Sequence, residues 1–249
     1  MDIQVRRVGY PDVEAMRELY RQEANCQIVH DSFFARGLSD PYLILVNGRV
    51  AGYGGIGNKY PPRRLTEFYT LPQMRPFAGP MYRELLAVGQ ATHVEAQTNM
   101  PLMLMMLYDC AINITTEVIL FDDAITTNLV CRDGVFRETT PEDVPAIFQH
   151  TREPVGEWLL EVKGVVVATG GFLSHYNPPY ADVYMEVAEP ERRKGFGSYL
   201  VQEVKRICYE AGKKPASRCD LDNRASRNLT KAGLLPCGRR LVGEVNPAP

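Results

Sequence analysis

The clearest pattern in the chain lies near its C-terminal end. Leu200, Val201, Val204, Ile207, Cys208 and Ala211 fall at i, i+1, i+4, i+7, i+8 and i+11. That spacing is one buried stripe at helical period. It predicts a helix over 194–211, stopped by Gly212. Upstream, short runs rich in β-branched and aromatic residues predict strands at 128–132, 135–138, 157–162, 165–173 and 182–187, with a helix at 142–151. Downstream come a short strand at 217–221, a helix opened by Asp222 or Asn223, and a strand pair around Gly238. Antiparallel hairpins followed by strand, helix, strand, helix and strand describe a mixed α/β (α+β) fold, a mostly antiparallel sheet flanked by helices.

The same pattern occurs twice. Residues 46–55, Val-Asn-Gly-Arg-Val-Ala-Gly-Tyr-Gly-Gly, read like 162–171, Val-Lys-Gly-Val-Val-Val-Ala-Thr-Gly-Gly. Each is a strand, a tight turn at Asn47-Gly48 or Lys163-Gly164, and a second strand. Asp12-Val13 and Asp143-Val144 open a candidate helix before each hairpin. Leu71 to Arg75 and Ala188 to Arg192 follow it, and then Asn99 and Asn223. Four similarities in one order divide the chain into two copies of one fold, 1–125 and 126–249, with no Gly/Ser linker between them.

Between the strand ending at Val187 and the long helix lies Arg192-Arg193-Lys194-Gly195-Phe196-Gly197-Ser198. Glycine lets the backbone approach a ligand and adopt conformations closed to other residues. A helix start carries unpaired N–H groups and partial positive charge. Three cations beside such a start suit a pyrophosphate.

Residues 185–200, Met-Glu-Val-Ala-Glu-Pro-Glu-Arg-Arg-Lys-Gly-Phe-Gly-Ser-Tyr-Leu, resemble the central acetyl-CoA motif of the GNAT superfamily of N-acyltransferases. Residues 222–233 resemble its following helix, with the Asn-x-x-Ser start at Asn223 and Ser226 and the Lys-x-Gly end at Lys231 and Gly233. The resemblance covers about 128–245 and is faint in the first copy, so the pair is similar to tandem GNAT proteins with one degenerate domain. It implies acetyl-CoA as co-substrate and an amine as acceptor. Backbone amides of Met185 and Val187 would pair with the pantetheine arm. Amides of 194–198, with the Arg192 side chain and Arg193 beside it, would hold the pyrophosphate, the Asn223 side chain would contact the pantetheine or its thiol end, and Ser226 would be among the coenzyme-binding residues.

Direct attack of an amine on a thioester needs a proton acceptor, because a free amine has a pKa of about 10.4. It also needs a donor for the carbonyl oxygen. Glu186, Asp182 and His175 are candidate bases. The family's usual proton-donating Tyr is missing from 228–230, Asn-Leu-Thr, which leaves Tyr184 or Tyr176. In the first copy Ala78 and Pro80 stand where Gly195 and Gly197 stand in the second, and proline has no N–H for a phosphate. That copy is expected not to bind the coenzyme. Met100, Met103, Met105, Met106 and Trp158 read as core.

A net charge of −2 argues against a nucleic-acid partner held by phosphate contacts. The longest apolar stretch, 102–107, is far short of the roughly 20 residues of a membrane span. Six scattered cysteines with no C-x-x-C pair and no secretory leader point to reduced thiols and a cytoplasmic protein. The histidines and cysteines show no metal-ligand spacing. The expected activity is acetyl transfer to a small-molecule amine or amino acid, by a monomer or homodimer. The alternative is a protein that binds acyl-CoA without turnover.

Overall fold

A computed structural model describes residues 1–29, 31–59, 62–222 and 226–246. The chain forms two compact units, Met1–Val118 with Gly238–Pro249, and Ile119–Cys237. The first begins with β1 (Ile3–Arg7), α1 (Glu14–Glu23), α2 (Asp31–Ala35), β2 (Ser39–Val46), β3 (Arg49–Gly57) and β4 (Arg64–Thr70). It continues through α3 (Ala78–Val88), β5 (His93–Gln97), α4 (Pro101–Cys110) and β6 (Ala111–Asp123). The second repeats the order of strands, without counterparts of α1 and α2, beginning with β7 (Gly134–Glu138), β8 (Trp158–Val162), β9 (Val165–Leu173) and β10 (Tyr180–Val187). Then come α5 (Phe196–Glu210), β11 (Lys214–Asp220), α6 (Ser226–Lys231) and β12 (Leu234–Val245).

No linker separates the units. The chain leaves the first within β6, after Val118, and returns to it within β12, at Gly238. The last strand completes the first unit's sheet, pairing Arg240 with Gln97 and Glu244 with His93. A division at 125/126 would have left that segment with the second copy.

The repeat extends to irregularities of the backbone. Asn47 and Gly48 turn at φ 50° and 75°, and Lys163 and Gly164 at 52° and 79°. These positive values match the twist of the flanking strands. The β2–β3 register slips between Ile44 and Leu45, skipping Ala51, and the β8–β9 register slips between Leu160 and Glu161, skipping Val167. A bulge is a built feature, and here it stands at one place in both hairpins.

Within the second unit β7 to β10 form an antiparallel ladder and β11 joins β10 in parallel. Helix α5 buries Leu200, Val201, Val204 and Cys208 against it, with Val183 and Val187 of β10 in the same core. The first unit has its own core, where Phe68 of β4 meets Tyr82 of α3 edge-on at 4.9 Å.

Several expected elements differ. In place of a helix at 142–151 there is a 3-10 turn, Pro141–Ala146, closed by a Thr140–Asp143 capping box. Pro145 cannot continue a helix, so the chain runs on without one. Residues 128–132 are not a strand, because the Gln202 side chain takes up both the N–H and the carbonyl of Leu129. Helix α5 starts at Phe196, two residues later than expected, and 234–245 is one strand rather than a pair. Trp158 is only half-buried, stacked on Phe136 at 5.3 Å, and Met105 is exposed while Met100, Met103 and Met106 are buried. Among the described residues no helix is long and apolar enough to cross a membrane, and no disulfide joins the cysteines.

Candidate active site

Two strands that part company shape the site. β10 pairs with β9 from Asp182↔Leu173 to Val187↔Ala168. It pairs with β11 only through Tyr180, Ala181 and Asp182, although β11 runs on to Asp220. The Ala188 N–H bonds the Val167 carbonyl on the β9 side. Peptide groups alternate along a strand, so those of Glu186 and Tyr184 also face β9, and those of Val187, Met185 and Val183 face the side that β11 has left. Two bonds agree with this. Ser217 Oγ donates to the Val183 carbonyl at 2.8 Å, and Arg192 Nε donates to the Val187 carbonyl at 3.2 Å. Met185 and Val187 therefore present N–H groups along an open strand edge.

That edge leads through a 3-10 turn, Glu189–Glu191, to the start of α5. Arg193 stands at φ 68°, and Gly195, which caps the helix, at φ 91°. A Cβ at Gly195 would meet no atom within 4 Å, so its requirement for glycine is the left-handed backbone and the space beside it is open. Gly197 is glycine for a different reason. A Cβ there would lie 3.0 Å from Asn228 Nδ2, 3.2 Å from Met185 Cε and 3.2 Å from Val187 Cγ2. It lets the first turn of α5 settle on β10 and α6. Ser198, buried, donates to Asn228 Oδ1 at 3.3 Å. Arg192, Arg193 and Lys194 are exposed around this helix start, and Phe196 is half-buried.

The other face of β10 carries Asp182, Tyr184 and Glu186. Both oxygens of Glu186 are occupied. Oε1 accepts from the Thr151 N–H at 2.9 Å and its hydroxyl at 2.6 Å, and Oε2 from the N–H groups of Arg152 and Glu153, both at 3.1 Å. Burial alone would raise its pKa, but the Thr151 hydroxyl and the three backbone donors together bring it down to about 2. Glu186 thus stays ionised and fully engaged. His150 lies against it at 3.6 Å, stacked on Phe148 and bonded to the Glu153 carbonyl and the Thr169 hydroxyl.

Asp182 is the opposite case. Burial and the nearby charge of Glu153 push it up to about 7. Its Oδ2 lies 3.7 Å from His175 Nε2 and 3.7 Å from Arg218 Nε, beyond hydrogen-bond range of both. Burial and the acidic Glu157 and Glu153 raise Tyr184, so its phenol stays protonated. Tyr176, buried, lies under the Arg218 guanidinium and accepts a hydrogen bond from it.

The structure thus brings Met185, Val187 and the 192–198 loop to one edge of β10, with Asp182, Tyr184 and Glu186 on one face of the strand, His175 beside Asp182, Tyr176 against His175, and Arg192 reaching 3.8 Å from Glu186. Asn223 lies outside the described residues. Ser226 opens α6, where its carbonyl accepts from Thr230 Oγ1 at 3.0 Å. Sequence reasoning missed Thr151, Glu153, Arg218 and Asn228. Thr151 was hidden at the end of the expected helix at 142–151, and Glu153 lies just past it. Asn228, standing where the family's Tyr was sought, was the one with a local signal.

The first unit is closed at the corresponding positions. The helix α3 is capped by Phe77 at φ −106°, has Pro80 in its first turn, and its nearby Arg75 pairs with Glu23. Counting back equally from Leu71 and Ala188, Glu67 stands where Tyr184 does. It is buried in a two-pronged pair with Arg17, at 2.9 and 2.8 Å, and accepts from the Tyr53 hydroxyl at 2.7 Å.

Residues 124–234 match the family model described as acetyltransferase (GNAT) family. No curated protein matches the chain in sequence. Among solved structures, a GNAT-family acetyltransferase from Colwellia psychrerythraea aligns with a TM-score of 0.75 at 14% identity, over 98% of this chain and 100% of its own. A tandem GNAT protein from the clavulanic acid biosynthesis pathway aligns with a TM-score of 0.61 at 12% identity over 100% of both chains. A GCN5-related N-acetyltransferase from Sphaerobacter thermophilus aligns at 0.57 and 15% identity, over 98% and 96%. At these identities the likeness concerns the fold. Residues 124–234 are thus similar to GNAT acetyltransferase domains, within a chain that has the fold of tandem GNAT proteins.

Proposed function

We propose that the second unit transfers an acetyl group from acetyl-CoA to an amine, with both substrates bound together. The supporting observation is the continuity between the open edge of β10 and the start of α5. A pantetheine arm carries amides, which pair with a free strand edge as another strand does. A pyrophosphate suits a helix start with open space at Gly195 and exposed cations around it. In this assignment Met185 and Val187 supply N–H groups to the arm and to the thioester carbonyl. Residues 194–198, Arg192 and Arg193 hold the pyrophosphate, and Ser226 is assigned to the coenzyme.

Asp182 stands where the β10–β11 ladder stops and is assigned as proton acceptor. A base near pH 7 is matched to an ammonium that must lose its proton before attack. Tyr184, protonated and on the same face, is assigned as donor to the departing thiolate. Glu186, whose oxygens are already engaged, is assigned to positioning. It ties residues 151–153 to β10 and with them Glu153, which acts on Asp182. The acceptor is a small-molecule amine or amino acid, and cysteines outside any disulfide fit a reducing cytoplasm. Incubation with acetyl-CoA and a panel of small primary amines, following free thiol, tests the assignment. Amine-dependent thiol release lost in Asp182→Asn supports it. Acetyl-CoA binding with no release for any amine would make the protein a non-catalytic binder.

A further inference from the structure

Arg218 stands just past the point where β11 leaves β10. The ladder ends at Asp182↔Ala216, and partners across a ladder, like residues two apart on a strand, share a face. Arg218 is therefore on the same face as Asp182, at the mouth of the split between the strands. Its guanidinium is fixed from below. The central carbon lies 4.9 Å from the middle of the Tyr176 ring, and the group donates to the Tyr176 hydroxyl. Tyr176 is buried and meets His175 edge-on at 4.0 Å. The Arg218 side chain is still 35% exposed, so the charge is held in place and yet meets solvent.

Arg218 Nε and Asp182 Oδ2 face each other at 3.7 Å, outside hydrogen-bond range. A carboxyl and a guanidinium so placed are the complement of a zwitterion, one drawing an ammonium and the other a carboxylate. The spacing agrees with an α-amino acid, in which about 2.5 Å separates the nitrogen from the carboxyl carbon. A nitrogen beside Asp182 puts that carboxylate beside Arg218. Two other cations near β10 are committed elsewhere, Lys214 to Asp122 at 2.8 Å and Arg192 Nε to the Val187 carbonyl at 3.2 Å.

We infer that the acetyl acceptor is an α-amino acid, with its ammonium at Asp182 and its carboxylate held by Arg218. The inference rests on acetyl transfer at Asp182, and adds the chemical class of the acceptor and the residue that reads it. A planar guanidinium matches a carboxylate with two parallel hydrogen bonds, which an ammonium cannot reproduce. A site built to pair with a polar group rejects the analogue that lacks it. In the transfer the C–N bond forms as the C–S bond breaks. The ammonium loses two protons, one of which ends on the thiol and one in solvent.

The test follows thiol release from acetyl-CoA with the common amino acids, each beside its decarboxylated amine and its carboxamide. Wild type, Arg218→Gln and Arg218→Lys are compared at about pH 8.5, where Asp182 is ionised. Melting curves check that the variants fold. We expect wild type to prefer at least one amino acid over its amine and its amide by about tenfold or more in kcat/KM. The preference should fall to within about twofold in Arg218→Gln, through KM more than kcat, and survive in part in Arg218→Lys. A merely structural Arg218 would lower the rates of acid and amine alike and leave their ratio unchanged. Amines used by wild type as well as their amino acids, or a preference that survives Arg218→Gln, would overturn the inference and leave acetyl transfer standing. Should a variant not fold, the wild-type ratio of acid to amine still decides. If no acceptor releases thiol, the acetyl-transfer reading fails and the inference with it.

Discussion

Glu186 accepts both the backbone N–H and the hydroxyl of Thr151, on one carboxylate oxygen, at 2.9 and 2.6 Å. A conserving Glu186→Gln change would turn an amide NH₂ toward N–H donors. We predict a loss of about 1–3 kcal/mol in stability by chemical denaturation at pH 7, the cost of mismatched buried polar groups. The folded carboxyl lies below its ordinary value, so its stabilising contribution is full above about pH 4.5 and lost as pH falls toward 2. The gap between wild type and variant should close over that window.

Asp182 has the reverse sign. Its folded pKa of about 7 lies above the ordinary carboxylate value, so ionising it opposes folding, from about pH 4 upward and fully above 7. Asp182→Asn should therefore melt higher than wild type at pH 8 and gain little at pH 4. Its catalytic role predicts that wild-type kcat/KM rises with pH through about 7. Asn should cost about 10²–10⁴ in rate while acetyl-CoA still binds.

Much of the site was legible in the chain because its determinants are local. The repeated hairpins are written in turn chemistry at Asn47-Gly48 and Lys163-Gly164, and α5 in an apolar stripe. The loop shows in glycines, one of which needs a left-handed backbone and the other close packing. Period-two alternation along β10 places Asp182, Tyr184 and Glu186 on one face. What separates Asp182 from Glu186 is not local. Residues 151–153 saturate Glu186 across more than thirty positions of sequence, and Pro145 breaks the helix expected just before them. The exchange of strand ends at Val118 and Cys237 was equally invisible, since contacts rather than composition define it.

The buried Arg17–Glu67 pair makes a prediction for the first unit. Both side chains are 1% exposed, so Arg17→Met strands a carboxylate beside the Tyr53 hydroxyl. Denaturation should show a loss of about 3–5 kcal/mol, and Arg17→Met/Glu67→Leu should recover a large part of it.

The most direct test of the central claim is a calorimetric titration with acetyl-CoA of wild type beside Gly195→Pro. Proline cannot adopt φ 91°, so the variant must rebuild the start of α5. Its circular dichroism and melting curve verify that the rest is folded. Micromolar binding by wild type, lost in the folded variant, is the predicted result. No binding by wild type, or undiminished binding by Gly195→Pro, would contradict the assignment of the loop as the coenzyme site.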